Sequence, residues 1–206
     1  MKWLQHLFTS KKTRHRQVAG SLEMVYFEEV DRETMRALMH FPLFQKGRIR
    51  NRRISHFTHQ YDLSRQTDAY IFDYRYLKGG KTRNQTVFWA ISDDLNLTWF
   101  AMEPQQFRHT VVKILRRKEI EFDLWPTFNR NYWIEGVDPQ AVQYVFGDEV
   151  PEFFNKEPGW SVEGYGNQFV LTKLHKRISP EDRPQLLDTG RSVLDRLVPR
   201  GKGNLV

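Results

Sequence analysis

Lys46, Arg48, Arg50 and Arg52 alternate along the chain, and Arg53 breaks the alternation. In an extended strand, successive side chains point to opposite faces, so the first four share one side and Arg53 takes the other. A second group of cations, Lys78, Lys81 and Arg83, gathers around Gly79-Gly80, with Tyr74 and Tyr76 beside it. Cations interleaved with aromatic rings are what a single-stranded nucleic-acid surface requires, through phosphate contacts and stacking under bases. The competing account pairs the arginines with the chain's own acids and packs the tyrosines in the core. No RNA-recognition, KH or helix-turn-helix signature accompanies this ribbon.

Other residue types with chemical potential form incomplete sets. Glu119, Glu121 and Asp123 would line one face of a strand, a weak candidate for a divalent-cation site. Ile120, Phe122 and Leu124 between them fit a strand that buries its apolar side and solvates its acids. His56 and His59 are three apart, so a regular strand sends them to opposite faces, away from any shared ion. Gly80-Lys81-Thr82 has the ending of a phosphate-binding loop, but Arg75 stands where that loop needs glycine, and a strand follows instead of a helix. Gly159-Trp160-Ser161-Val162-Glu163 resembles a nucleophile elbow with glutamate in place of its last glycine, and the pattern runs on as strand. No catalytic residues, metal or cofactor are therefore assigned.

The N-terminus offers another kind of surface. Trp3, Leu4, Leu7 and Phe8 would share one side of a short helix, followed by Lys11, Lys12, Arg14 and Arg16. Apolar insertion and attraction to anionic lipid add in such a segment, which makes it a candidate peripheral membrane contact. Its apolar stretch is too short and polar for a signal peptide, and no run approaches the length of a membrane span.

The elements that must position these groups are readable from turns, caps and periodicity. Ala69–Leu77 and Thr82–Ile91 form a hairpin through Gly79-Gly80, which puts Tyr76 opposite Arg83, Phe72 opposite Val87, and Tyr70 opposite Trp89. Asp31 caps a helix stopped by Pro42, Glu23–Phe27 reads as a strand, and so does Asn96–Met102. A helix is expected from Pro104 to about Lys118, burying Phe107, Val111, Ile114 and Leu115. Glu119–Leu124 and Tyr132–Glu135 read as strands, Gln140–Phe146 and Pro151–Asn155 as short helices. A second hairpin joins Ser161–Gly164 to Gln168–Leu174, and Ser179-Pro180-Glu181 begins a last helix reaching Leu197. The fold class is α+β: antiparallel sheet built from hairpins, with helices packed on one side and room for two similar-sized subdomains.

The chain has 206 residues, 14% of them aromatic, and no cysteine. That size can bury its own core, and the lack of cysteine excludes disulfides, thiolate metal sites and cysteine nucleophiles. The net charge of +7 is unevenly spread: residues 46–86 carry ten bases against three acids, residues 93–163 thirteen acids against seven bases. The expected organisation is a basic amphipathic segment over 1–22, one α+β domain over 23–198 with a subdomain joint near 104, and a flexible tail over 199–206. Leu197-Val198-Pro199-Arg200-Gly201 looks like a protease cleavage sequence but continues a helical pattern, and is read as native.

Several stretches resemble a family of uncharacterised bacterial proteins. They are Phe41-Pro42-Leu43-Phe44 with Gly47 and Arg50-Asn51, Phe72-Asp73-Tyr74-Arg75-Tyr76, Gln85-Thr86-Val87, Glu121-Phe122-Asp123, Phe128-Asn129-Arg130 with Tyr132, and Ser161-Val162-Glu163-Gly164. The resemblance spans about residues 23–176. It implies an independent α+β domain and carries no activity with it.

The reading that results is a non-catalytic binding or accessory protein, cytoplasmic or peripheral at the inner membrane face, acting through its basic surface. An unidentified protein is the expected partner, with anionic lipid and nucleic acid as further candidates. A nucleic-acid-binding protein and a divalent-metal enzyme around Glu119, Glu121 and Asp123 are the alternatives.

Overall fold

Two consecutive glycines with positive φ, Gly79 at 58° and Gly80 at 74°, close the longest hairpin of the protein. Both values suit a tight two-residue turn, whose twist matches that of the flanking strands. The computed structural model describes residues 10–28, 30–46, 51–107 and 118–198. The hairpin strands are β3 (Thr67–Lys78) and β4 (Lys81–Ser92), counted after β1 (Val25–Phe27) and β2 (Arg53–Asp62). Their register is the expected one, with Tyr76 opposite Arg83, Phe72 opposite Val87 and Tyr70 opposite Trp89. The rings of Tyr70 and Trp89 stack at 4.5 Å, which fixes the pairing against a slip.

The remaining strands are β5 (Leu97–Pro104), β6 (Lys118–Glu119), β7 (Tyr132–Gly136), β8 (Ser161–Gly166) and β9 (Gln168–Thr172). All join one antiparallel sheet in the order β1-β2-β3-β4-β9-β8-β5-β7-β6. The sheet runs unbroken past residue 104, because Pro104 ends β5 and faces Tyr132 on β7. A joint at 104 is thereby corrected, and so is a helix beginning there. Pro104 is strand, a single 3-10 turn follows over Gln105–Phe107, and residues 108–117, with Val111, Ile114 and Leu115, lie outside the described residues.

Alternation along each strand creates two cores. Ile71, Phe88, Phe100, Met102, Val162 and Leu171 face one way. They meet α1 (Lys11–Ser21), α5 (Pro139–Phe146), α6 (Glu149–Lys156) and α7 (Arg183–Leu197). Helix α7 lies close on β4 because Gly190 has no side chain. A Cβ there would come within 2.6 Å of the Phe88 ring. Phe72, Tyr74, Tyr76, Val87, Trp89 and Val170 face the other way. They are covered by α2 (Arg32–Leu38) and the one-turn α3 (Pro42–Gln45), through Leu38, Phe41, Leu43 and Phe44. The remaining helix, α4 (Pro126–Asn131), leads into β7 and buries Phe128. Caps set the helix starts: Asp31 accepts from the Thr34 N–H at 2.8 Å, and Asp138 from Ala141 at 3.1 Å. The fold is α+β, with helices on both faces of the sheet rather than one.

Candidate anion-binding recess

Strand β2 contains one residue too many. Ser55 pairs with Asp73 and Thr58 with Ile71, so three steps on β2 match two on β3. This bulge carries a positive φ of 55° at His56. A bulge reverses the alternation on one side of itself. Here it turns Ser55 and Arg53 onto the face of Asp73 and Arg75, and Arg52 away from it. Arg53 then sits directly opposite Arg75, and Arg75 opposite Asn84 of β4.

That row lines a recess of about 440 Å³. Ser55, Asp73 and Asn84 join its floor, while Lys12 of α1 and Arg177 line its sides. A second hollow of about 370 Å³ shares Arg53 and Arg75 and continues past Leu77 and Thr82 toward the hairpin tip. The lining of the first hollow holds four cations, Lys12, Arg53, Arg75 and Arg177, against two carboxylates, Glu28 and Asp73. Both carboxylates are engaged already. Glu28 holds Lys12 and Arg16, which keeps its carboxyl below the ordinary value. Asp73 holds Arg177 and Arg183. Among the described residues, no carboxylate forms an ion pair with Arg53 or Arg75.

Asp73 is the anchor of the recess. Arg183, 2% exposed, donates to its carboxylate at 3.1 Å and to the His56 carbonyl, also at 3.1 Å. The Thr86 hydroxyl donates to Asp73 at 2.8 Å and accepts the Ile178 N–H at 2.9 Å. One buried network therefore ties α7, the bulge and the segment bearing Arg177 to the middle of the sheet. Burial lowers the Arg183 guanidinium from its usual value and Asp73 opposes that shift. His15 of α1 stacks on His56 at 3.8 Å with 18° between the planes, and the Tyr26 hydroxyl meets His56 Nδ1 at 3.1 Å.

His15, His56 and Asp73 bring ligand-type atoms within 4.8 Å of one another. The chemistry is poor for a cation. A ring nitrogen binds metal in its own plane, and an ion shared by two stacked rings would lie about half their separation out of both. The third ligand is already neutralised by two guanidinium groups. His59 takes no part: it stacks on Tyr70 across the sheet and meets Asp68 at 2.6 Å.

The other residues singled out in sequence separate sharply. Lys46 is a correction: it is 2% exposed, with its ammonium 3.2 Å from Glu103, because α3 folds it under the sheet. Tyr74 and Tyr76 are likewise buried, at 1% and 0%, so neither ring can stack under a base. Burial raises both hydroxyls, that of Tyr76 to about 12. Arg52 turns back to the carbonyls of Lys46 and Gln45. Arg48 and Arg50 lie outside the described residues. Lys78 and Lys81 are exposed at the hairpin tip, and Arg83 is half-buried.

Trp3, Leu4, Leu7 and Phe8 lie outside the described residues, as do the Lys11 side chain and the tail from 199. Helix α1 itself packs on the sheet through His15 and Ala19, so residues 11–21 are part of the domain and not a separate segment. Its cations are engaged: Lys12 and Arg16 with Glu28, and Arg14 with Glu181 at 3.3 Å. Glu119, Glu121 and Asp123 are exposed at and just after the short β6, alternating with buried Ile120 and Phe122, and no described metal-type cluster includes them. No described helix is long and apolar enough to cross a membrane.

Sequence reading also passed over three acids. Glu103, Glu135 and Glu163 are 1%, 7% and 3% exposed on the face opposite the recess. Ala101 of β5 lies between Glu135 of β7 and Glu163 of β8, which leaves room for the two carboxyls. Glu163 accepts the Leu43 N–H at 3.0 Å, and burial pushes its carboxyl up to about 7 against the pull of Lys46. Glu103 is raised by the same cause.

No protein-family model and no curated protein matches the chain. Among solved structures, the crystal structure of the mycobacterial trehalose monomycolate transport factor A, TtfA, is similar with a TM-score of 0.67. The likeness covers 91% of this chain and 94% of that one at 11% sequence identity, and so establishes a shared fold.

Proposed function

We propose that this is a non-catalytic accessory protein that engages an anionic partner through the outer part of its β2–β4 ribbon. The observation that carries the reading is the acid-free outer part of the hairpin: from Tyr74 to Ser92 the chain has Arg75, Lys78, Lys81 and Arg83 and no carboxylate. The 12-residue strands carry Lys78 and Lys81 out to an exposed turn, at the opposite end of β3 and β4 from Asp62, Asp68, Asp93 and Asp94. Exposed cations of one sign speed encounter and give binding a steep salt dependence. A partner protein with an acidic face fits better than single-stranded nucleic acid, since Tyr74 and Tyr76 are buried and supply no stacking platform. The similar fold of a protein named as a transport factor is in keeping with an accessory role. The cytoplasmic face of a membrane is the proposed place of action.

Retention of the purified chain on immobilised polyglutamate, measured against salt, tests the reading. Binding should fall steeply between about 50 and 200 mM salt, and the K78E/K81E variant should pass unretained with an unchanged melting temperature. Equal retention of variant and parent removes the ribbon from consideration. Turnover of nucleotides, nucleic acids or esters by the parent chain would overturn the non-catalytic part.

A further inference from the structure

We propose that the recess framed by Arg53 and Arg75 is a specific site for the phosphomonoester of a small polar molecule. The inference rests on the ribbon reading above and names a ligand class for its recessed part.

Three observations converge on it. The first is geometric. The bulge at His56 makes Arg53 and Arg75 direct cross-strand partners on one face of neighbouring strands. Like charges in that relation repel, and an anion bound between them relieves the repulsion. Without the extra residue Arg53 would point to the other face. The partly buried bond from Arg183 to the His56 carbonyl holds the bulge in this form.

The second observation is electrostatic. Glu28 and Asp73 are each held by two cations, which leaves the charges of Arg53 and Arg75 without a described counter-ion. A phosphomonoester carries about −1.5 to −2 at neutral pH, which matches two guanidinium groups. Guanidinium forks also fit phosphate oxygens in pairs, as a single ammonium does not. Asn84 beside Arg75, and Ser55 one row further in, add neutral hydrogen-bonding groups.

The third is size. At about 440 Å³ the recess is within the range of small-molecule sites, far larger than an inorganic ion needs. Its lining of Ser55, His56, Asn84 and Asp73 suits a hydroxylated body more than an apolar one. The phosphate sits at the arginine row and the body extends toward α1.

Calorimetric titration of the full chain with glucose 6-phosphate, glucose and inorganic phosphate is the direct test. Glucose 6-phosphate should bind, inorganic phosphate more weakly, and glucose not at all. R53Q and R75Q should each lose roughly tenfold in affinity, the size of one lost charge-assisted contact. Vesicles of phosphatidylcholine with phosphatidic acid or with phosphatidylglycerol separate the sources of the phosphate. Arginine-dependent flotation with phosphatidic acid alone marks a lipid headgroup, and binding of the soluble ester without flotation marks a free metabolite. Either result supports the site. No binding of any phosphomonoester, soluble or in a bilayer, overturns it, and so does equal binding by R53Q/R75Q. If K78E/K81E still abolishes polyglutamate retention in that case, the ribbon reading stands and only this site falls.

Discussion

Two groups of like charges lie on opposite faces of the same sheet, and they are handled in opposite ways. On one face Arg53 and Arg75 oppose each other at an open recess, where water and ligand can reach them. On the other, Glu103, Glu135 and Glu163 gather beneath α3 with Lys46, almost wholly shut off from solvent. Arginine cannot shed its charge, so the open pair must keep water or bind an anion. Carboxyls can take up protons, so the closed group relieves its repulsion by titrating. The exposed group therefore suits recognition and the buried one contributes a pH-dependent element of stability.

The largest effects should come from removing a buried partner. Lys46→Met leaves Glu103 without its ammonium, 0% exposed in the parent, and breaking such a pair costs about 3–5 kcal/mol. The loss should be greatest at pH 8 and smaller at pH 5, where a proton can replace the ammonium. Denaturant melts at both pH values check this, and an equal loss at both would mean that packing of the Lys46 stem dominates. Arg183→Met makes the corresponding break on the recess side. Arg177 still holds Asp73, so about 3 kcal/mol is expected, the lower end of that range. Because Arg183 also fixes the His56 carbonyl, the variant should lose phosphomonoester binding under conditions where it remains folded.

Glu163→Gln sharpens the contrast between the two faces. The Glu163 carboxyl lies at about 7 in the folded chain, above its ordinary value of 4.5. Between these values the native state binds more protons than the unfolded state, so stability declines as pH rises from about 4.5 to about 7. The contribution is fully present below the lower value and lost above the upper one. The groups that face Glu163 are Lys46, Glu103 and Glu135, with the Tyr74 and Tyr76 hydroxyls nearby. Glutamine keeps an acceptor for the Leu43 N–H and carries no charge. The variant should gain on the order of 3 kcal/mol over the parent at pH 8 and almost nothing at pH 4.5. A gain that does not change with pH would exclude titration as its cause.

Those acids also show where sequence reading stops. The β3–β4 hairpin was legible to the residue, because two glycines fix the turn and aromatic pairs such as Tyr70 with Trp89 fix the register. Asp31 and Ser179 announced helix starts through local chemistry alone. The buried carboxyls were not legible: Glu103, Glu135 and Glu163 are far apart in sequence and meet only because β5 lies between β7 and β8. The site failed for a smaller reason. One extra residue near His56, with no glycine or proline to signal it, exchanged the faces of Arg52 and Arg53. Alternation alone had grouped Arg52 with the ribbon and set Arg53 apart. Arg183 was hidden in another way, as one polar position in a helix whose partner, Asp73, is 110 residues earlier.

The smallest expected effect bears most directly on the recess. If Arg53 and Arg75 repel each other across the strands, neutralising one should stabilise the ligand-free chain. Opposed like charges in a sheet cost roughly 0.2–1 kcal/mol, and screening reduces that at exposed positions. Arg53→Gln should therefore raise the melting temperature slightly in low-salt buffer free of phosphate, and the gain should vanish near 1 M salt, where the Debye length falls to about 3 Å. With saturating glucose 6-phosphate the order should reverse, because the parent gains ligand stabilisation that the variant has lost. A stability gain without the reversal would leave a strained pair with no ligand. Loss of stability in both buffers would mean that Arg53 serves the fold through its stem, and the pair would no longer argue for an anion.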